Sequence, residues 1–341
     1  MNLPDWLPSL GWLFVCPLVL SWLLTALLIR WAARLGLVDY PSERKVHTNP
    51  TPRAGGLAIF TATILSSILY PLSSILYPLS SILYPLVLGT AIFLLGLIDD
   101  FRPMRWQIRL TVQFAVSAVA VLFYLPPEPW FVRAAMVVWI AGLINAFNML
   151  DNMDALSGGV AWIAAGFLAT ISWRSEAEWT PFVVLMGALS GFLWFNRPPA
   201  RIFMGDSGST FLGFTLGLGS LHVVLRNGGP SWSWLAAPCI LAVPCYDLAS
   251  VVLLRLSQGR SPFHADKQHL SHRLTYRGLS KWTAVRTIYL LALASGTSGV
   301  ILYVVSDAMT AALVVGQFAV WWIALAVMEF ATKESRHDTQ T

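Results

Sequence analysis

Charged residues are scarce in this chain of 341 residues, because Asp, Glu, Lys and Arg together make up only 11%. A soluble domain carries about 25% charged residues, so the composition excludes an ordinary water-soluble globular protein. The three cysteines all lie in apolar runs without metal-type spacing, and we expect buried free thiols. No Lys or Arg precedes the first apolar run, so that run is expected to be a span and not a cleaved signal peptide.

Hydrophobic residues make up 56% of the chain and gather into long stretches. Stretches of about 20 apolar residues predict membrane-spanning helices. The chain is therefore predicted to be an all-α polytopic membrane protein with one domain over residues 1–341 and a motif-bearing core over residues 39–277. The eleven predicted spans run near residues 8–29, 55–72, 77–98, 108–125, 131–150, 157–172, 180–195, 208–225, 233–254, 284–305 and 308–330.

The 22 Lys and Arg residues are distributed unevenly over the two faces of this arrangement. With eleven spans, all but Arg133, Arg174 and Arg226 fall on one face. Cytoplasmic loops carry the excess of Lys and Arg, which predicts an outside N-terminus and a cytoplasmic C-terminus in a bacterial inner membrane. The net charge of +5 then reflects this bias, and no nucleic-acid partner is expected.

The segment 66–86 repeats the heptapeptide SSILYPL three times. A proline in each copy argues against a coiled coil. We interpret the repeat as a tandem duplication in a lipid-facing hairpin between the second and third spans, with no catalytic role.

Two polar segments lie at cytoplasmic ends of the first three spans. The first loop contains Lys45 and His47 and ends in the double glycine of TPRAGG, where cations and free helix N–H groups favour phosphate. A loop that only sets topology explains it equally well. The third span ends in Asp99 and Asp100, a costly pair at a membrane boundary unless it is paired or bound to metal. Adjacent helical side chains point about 100° apart, so one could face the site while the other orients a neighbour.

Two further segments predict oxygen ligands. In NAFNMLDNMD, Asn148 and Asp151 follow one side of a helix, Asp154 comes next, and no Lys or Arg compensates the acids. Amide and carboxylate oxygens are the ligands that Mg²⁺ prefers. In FMGDSGST, Asp206 stands between glycine-rich residues before the eighth span, where an N-cap and a metal ligand are both plausible readings.

The fifth cytoplasmic segment, SPFHADKQHLSHRL, is basic and carries His269, His272 and Arg273. Histidine and arginine side chains can bind a diphosphate or a sugar. The His-x-x-His spacing also permits zinc, although the preceding aspartates suit Mg²⁺ better. Asp247 lies inside the ninth span and shares a helix face with Arg255, which leaves open a functional role and a structural ion pair between them.

These five segments, in this order, resemble the polyprenyl-phosphate N-acetylhexosamine-1-phosphate transferase family (glycosyltransferase family 4). The likeness extends from about Asp39 to Arg277 and is greatest to the branch that uses UDP-GlcNAc and undecaprenyl phosphate to begin teichoic acid, O-antigen or related polysaccharides. The family commonly carries a further histidine where Ser271 stands here, which affects the expected sugar more than the chemistry.

The resemblance implies a role for each matching residue. Asp99 and Asp100 would contact or deprotonate the lipid phosphate, and Arg109 would bind phosphate. Asn148 and Asp206 would hold Mg²⁺ or Mn²⁺, with Asp151 and Asp154 acting near the metal or the uridine. The remaining substrate-binding residues would be Lys45, His47, His269, His272 and Arg273.

The expected reaction is transfer of N-acetylhexosamine 1-phosphate, most simply GlcNAc-1-phosphate, to undecaprenyl phosphate with release of UMP. A translocase-type reaction with UDP-MurNAc-pentapeptide is the alternative, but that family has consecutive histidines where this chain reads HLSH. Other UDP-N-acetylated sugars stay open, as does a homodimer. A transporter is the distant alternative, since transporters place ionisable groups near the bilayer midplane.

Overall fold

The computed structural model describes residues 6–39, 50–73, 79–174, 179–226, 230–263 and 266–331. Over these ranges the chain forms thirteen α-helices, one short 3₁₀ turn at Ser233–Leu235 and a two-stranded antiparallel sheet. The helices are α1 (Trp6–Trp31), α2 (Gly55–Ser73), α3 (Leu79–Phe101), α4 (Trp106–Phe123), α5 (Trp130–Leu150), α6 (Leu156–Arg174), α7 (Thr180–Asn196), α8 (Gly205–Arg226), α9 (Ala236–Ile240), α10 (Ala242–Ser257), α11 (Leu270–Tyr276), α12 (Lys281–Val304) and α13 (Ala308–Ala331). The strands are β1 (Val38–Asp39) and β2 (Thr51–Pro52).

The helices confirm an all-α polytopic membrane protein. Each predicted apolar stretch coincides with a helix or with the bent pair α9–α10. In the described ranges, eight helices are long and apolar enough to cross a membrane, or nine if the bent pair is one span. The apolar helices α2 and α7 are shorter. Helix α2 ends at Ser73 and α3 begins at Leu79, and the part of the SSILYPL repeat between them lies outside the described residues.

The ninth predicted span is not one straight helix, because α9 and α10 meet at Leu241 with a bend of 68°. Pro244 accounts for the break. It has no N–H for the carbonyl of Ile240, and its ring would clash with that carbonyl in a continuous helix. As the third residue of α10, Pro244 occupies a position where no intrahelical donor is required.

Helix α8 lies at the centre of the bundle. In its apolar window 78% of the residues are buried, against 6% in the peripheral α13. Small residues allow this close packing: a Cβ at Gly213 would lie 2.4 Å from the carbonyl oxygen of Leu143 in α5. The N-terminus of α8 therefore meets the ends of several surrounding helices.

Candidate active site

The first loop and the segment before α8 are joined by backbone hydrogen bonds. Phe203 N–H donates to the carbonyl of Pro52 at 2.7 Å, and Gly55 N–H donates to the carbonyl of Phe203 at 2.9 Å. The approach requires glycine, since a Cβ at Gly56 would lie 2.4 Å from the backbone nitrogen of Gly208. This pairing brings TPRAGG onto FMGDSGST and places Arg53 beside the start of α8.

Asp100 caps the N-terminus of α8. Its two carboxylate oxygens accept the backbone N–H groups of Asp206 at 2.8 Å and Ser207 at 2.9 Å, and its side chain is fully buried. Gly205, with φ of +80°, makes the turn, and a Cβ there would lie 2.8 Å from the Asp100 carboxylate. Asp100 thus orients the helix that carries Asp206, which is one of the two arrangements expected for the adjacent aspartates.

Two arginines share the carboxylate of Asp206. Arg53 Nη2 lies 2.7 Å from Asp206 Oδ1 and 2.9 Å from Asp100 Oδ1. Arg109 Nη1 lies 3.4 Å from Asp206 Oδ2 and 2.5 Å from Asp99 Oδ2. Burial disfavours the charged guanidinium of Arg53, but Asp206 and Asp100 outweigh this and raise its pKa. We call these five residues the aspartate cluster.

The C-terminal end of α5 borders the aspartate cluster. Asn148 Nδ2 donates to Ser209 Oγ at 3.1 Å, one turn into α8, so Asn148 Oδ1 is left for another partner. Burial, and then the negative charge of Asp206, raise the pKa of Asp151 to about 7. Asp154 Oδ2 accepts the N–H of Ala200 at 3.0 Å and so holds the segment that leads to α8.

The residues around Asp206 fit a divalent cation of the Mg²⁺ type. Within the described ranges, no three His, Cys, Asp or Glu side chains converge to hold a metal by themselves. Mg²⁺ does not need such a set, because it commonly uses one or two carboxylates with substrate phosphates and water. Asp206 and Asn148 supply hard oxygen ligands, and the pKa of Asp151, raised by burial and then by the negative charge of Asp206, is one that a nearby cation would lower.

The fifth cytoplasmic segment folds onto α10. Asp247 Oδ2 lies 2.9 Å from His269 Nδ1, and Asp247 Oδ1 accepts the N–H of Leu270 at 2.6 Å. Arg255 does not pair with Asp247 as its helical spacing suggested. It contacts both oxygens of Asp266 at 3.1 Å, because the loop returns Asp266 to the end of α10.

His272 and Ser271 of α11 are both buried, but they have different neighbours. The rings of His269 and His272 have centroids 6.3 Å apart. Burial, and then the charge of His269, lower the pKa of His272 to about 4, so His272 is neutral near pH 7. Ser271 is buried and donates to Asn152 Oδ1 at 2.5 Å, which ties α11 to the loop after α5.

Arg273 is engaged by the protein itself. Its Nη2 donates to Ser250 Oγ at 2.8 Å and to Glu329 Oε2 at 3.1 Å, and its Nη1 donates to the carbonyl of Gln268. Glu329 Oε2 also accepts from Tyr246 at 2.6 Å. These contacts give Arg273 a role in holding α11 against α10 and α13. We call Asp247, His269, His272, Arg273 and Glu329 the histidine cluster.

The structure brings ten of the predicted site residues into these two clusters, the C-terminal end of α5 and the loop that follows it. Lys45 and His47 lie outside the described residues. Sequence reasoning did not select Arg53 or Glu329. The TPRAGG motif was a signal for Arg53, and the carboxylate inside the last apolar stretch was a signal for Glu329.

A family model and several named proteins match this chain. The model of glycosyl transferase family 4 matches residues 82–224, which include Asp99, Asn148 and Asp206. The probable undecaprenyl-phosphate N-acetylglucosaminyl 1-phosphate transferase of Bacillus subtilis (strain 168) is 31% identical over 85% of this chain and 84% of its own length.

Two other relatives carry related names. The decaprenyl-phosphate N-acetylglucosaminephosphotransferase of Mycobacterium tuberculosis (strain CDC 1551 / Oshkosh) is 33% identical over 87% of this chain and 83% of its own length. The undecaprenyl-phosphate alpha-N-acetylglucosaminyl 1-phosphate transferase of Escherichia coli (strain K12) is 29% identical over 79% of this chain and 77% of its own length.

Proposed function

The chain belongs to glycosyl transferase family 4, and from this premise we propose that it transfers GlcNAc-1-phosphate from UDP-GlcNAc to undecaprenyl phosphate. An oxygen of the lipid phosphate attacks the sugar-linked phosphorus of the donor. The bond from that phosphorus to the UMP oxygen breaks, so that UMP leaves and a lipid-linked diphosphate sugar forms. This would be the first membrane step in making an envelope polysaccharide such as a teichoic acid or an O-antigen.

The observation that carries this proposal is the Asp206 carboxylate held between Arg53 and Arg109 at the N-terminus of the central helix. Both substrates are anionic, so the enzyme's main tasks are to neutralise charge and to align the reacting groups. Arg53 and Arg109 supply two guanidinium groups that can bind phosphate oxygens, and a bound cation would offset the excess of aspartates over arginines. Asp99 and Arg109, at the ends of α3 and α4, would meet the lipid phosphate as it arrives sideways through the bilayer.

We further propose Mg²⁺ or Mn²⁺ as the cofactor, held by Asp206 and Asn148. When bound, the ion would neutralise charge on the donor diphosphate. Asp151 would lie beside it, and the bound ion would lower the pKa of this carboxyl group from about 7. Asp100 would act through α8, since both its oxygens are used by backbone N–H groups.

The proposed setting is a bacterial inner membrane with the active site on the cytoplasmic face. The 19-to-3 distribution of Lys and Arg supports an outside N-terminus with eleven spans, in which α2, α7 and the bent pair α9–α10 also cross. The histidine cluster would face the donor, which comes from the cytoplasm. A homodimer stays a prediction.

A donor panel tests the proposal. Purified protein is incubated with undecaprenyl phosphate, Mg²⁺ and UDP-GlcNAc, UDP-GalNAc, UDP-QuiNAc, UDP-FucNAc or UDP-MurNAc-pentapeptide, and both UMP and the lipid product are measured. We expect UDP-GlcNAc to be the best donor and EDTA to abolish turnover, with recovery on adding Mg²⁺. Turnover with UDP-MurNAc-pentapeptide alone would establish the translocase-type reaction, and full activity in EDTA would contradict the metal assignment.

A further inference from the structure

Asp247 is a fully buried carboxylate in α10, inside the bent pair, and the proposed reaction does not use it directly. Burying a carboxylate is costly unless hydrogen bonds or charges compensate it. Both oxygens are compensated here: Oδ2 contacts His269 Nδ1 at 2.9 Å, and Oδ1 accepts the N–H of Leu270 at 2.6 Å. One carboxylate thus fixes a histidine ring and the first N–H of the helix that follows it.

The contact with Asp247 determines how the proton is placed on His269. An ionised carboxylate can only accept a hydrogen bond, so Nδ1 must carry the hydrogen. Nε2 is then the ring atom left for a ligand, either as an acceptor or, in the imidazolium form, as a donor. The backbone of His269 is also fixed, because its carbonyl accepts the N–H of Arg273 at 2.9 Å.

The neighbouring side chains leave His269 as the residue of this segment that can meet an anion. His272 lies with its ring centroid 6.3 Å away and is neutral near pH 7 because burial and the charge of His269 lower its pKa. Arg273 is occupied by Glu329 and Ser250. Among these three residues of the fifth cytoplasmic segment, His269 is the one whose ring the structure equips to meet an anion.

We propose that Asp247 is a positioning residue for the donor: it holds His269 so that Nε2 meets the diphosphate of the nucleotide-sugar. This inference rests on the proposed function. Asp247 itself touches no substrate and acts through His269. Its carboxylate also keeps α11 in register by capping Leu270.

The rival account is that Asp247 only caps α11, and Asp247→Asn separates the two. The N–H of Leu270 is a fixed donor, so it requires the amide oxygen of the new asparagine. The amide NH₂ must then face His269 Nδ1, which becomes an acceptor, and the hydrogen moves to Nε2. The variant keeps the cap and the shape but inverts the tautomer and withdraws the negative charge.

The test uses the full chain in detergent micelles. The Kd of UDP-GlcNAc is measured by calorimetry with Mg²⁺ present, and KM is measured for both substrates. We expect Asp247→Asn to weaken donor binding or turnover by about 10- to 100-fold, as for other buried partners that orient a histidine. The lipid KM should stay within about 3-fold. Unchanged donor Kd and kinetics would overturn the positioning role.

A second variant, His269→Asn, tests the same inference if Asp247→Asn fails to fold. His269→Asn keeps an N–H for Asp247 but has no counterpart of Nε2, so it should lose donor affinity while the protein stays folded. Adding Asp247→Asn to it should cause little further loss, because Asp247 acts through the missing ring. Additive losses, or unchanged donor affinity in His269→Asn, would contradict the inference.

Asp307 provides the matched control. It also caps a helix, accepting the N–H of Thr310 at 2.7 Å, but it is exposed and has no histidine partner, so Asp307→Asn should leave donor binding unchanged. If the unaltered protein neither binds UDP-GlcNAc nor releases UMP, the proposed function and this inference both fall. An active protein with an unaffected Asp247→Asn variant overturns the inference alone.

Discussion

The aspartate cluster and the histidine cluster both pair opposite charges at helix ends, but they differ in how far water reaches those charges. In the aspartate cluster Asp99 and Asp100 are buried, but the side chains of Arg53 and Arg109 are each 32% exposed and that of Asp206 is 24% exposed. In the histidine cluster the side chain of Asp247 is fully buried and that of Glu329 is 1% exposed.

This difference in exposure indicates that the two clusters have different roles. Partly exposed pairs can exchange partners when a phosphate or a cation arrives, since breaking them does not strand a charge in apolar surroundings. Breaking a buried pair leaves an uncompensated charge and is strongly destabilising. The aspartate cluster is therefore suited to the reaction, and the histidine cluster to holding a fixed surface for the donor.

The largest expected effect comes from Asp206→Ala. It removes the carboxylate that both arginines share and that the proposed metal needs, so we expect turnover to fall by at least about 10³-fold. The thermal unfolding midpoint should change little, because Asp206 is partly exposed. Asn148→Ala should behave alike in an assay of UMP release, whereas Asp307→Asn, an acid-to-amide change at a different helix end, should match the unaltered protein. Near-normal turnover in either Asp206→Ala or Asn148→Ala would show that the metal is held elsewhere.

Glu329→Ala should break the buried ion pair of the histidine cluster. It leaves the guanidinium of Arg273 without its carboxylate, which we expect to cost about 3–5 kcal/mol of stability. Arg273→Ala should cost a similar amount, and the double variant should lose little more, because the two residues form one pair. Thermal unfolding in detergent measures all three. If Arg273→Ala keeps its stability and raises only the donor KM, Arg273 belongs to the substrate, as its motif predicted.

The positions of the helices could be predicted from the sequence because hydrophobic length is a local signal. The ends of α1, α5 and α12 all lie within three residues of the predicted bounds. The bend at Leu241 was missed although Pro244, in the middle of the predicted span 233–254, is a local signal, because the span was assigned from apolar length alone. The short α11 was too short and too polar to register as an apolar stretch.

Part of the candidate site could be selected from the sequence, because polar residues at the ends of apolar stretches are also a local signal. Runs of polar residues at helix ends identified Asp206, Asn148 and His269, but partners could not be read from them. Asp100 meets Asp206 across 106 positions, and Arg53 meets it across 153. Such contacts depend on how helices pack, whereas spacing along one helix suggested the pair Asp247 and Arg255, which the fold does not form.

Next to the aspartate cluster, Asp151 should make the stability of the protein depend on pH. The folded protein raises the pKa of Asp151 to about 7, above its ordinary value, so the folded state binds the proton more tightly than the unfolded state. The resulting stability is complete in acid and is lost as the pH rises through 7.

Without metal, we expect the unaltered protein to lose on the order of 1 kcal/mol between about pH 6 and 8 relative to Asp151→Asn. Mg²⁺ should reduce this difference, and denaturant unfolding at the two pH values measures it. An unchanged difference in stability between the two proteins from pH 6 to 8 would show that Asp151 is already ionised at pH 6.

The smallest expected effect concerns the hydrogen bond between Ser271 and Asn152, which links the histidine cluster to the loop bordering the aspartate cluster. Ser271→Ala should cost about 0.5–1.5 kcal/mol of stability, the usual net contribution of one neutral hydrogen bond. Because Asn152 follows Asp151 and Ser271 lies between His269 and His272, any kinetic effect should fall on the donor, with a KM change of less than about tenfold and no change for the lipid.

Ser271→His places the family's usual side chain at this position. Since Ser271 is buried against Asn152, the larger ring must displace that amide, and the relative rates with UDP-GlcNAc and UDP-GalNAc should change. A changed lipid KM in both variants, with donor kinetics intact, would mean that α11 faces the acceptor and that the assignment of the two clusters to the two substrates is reversed.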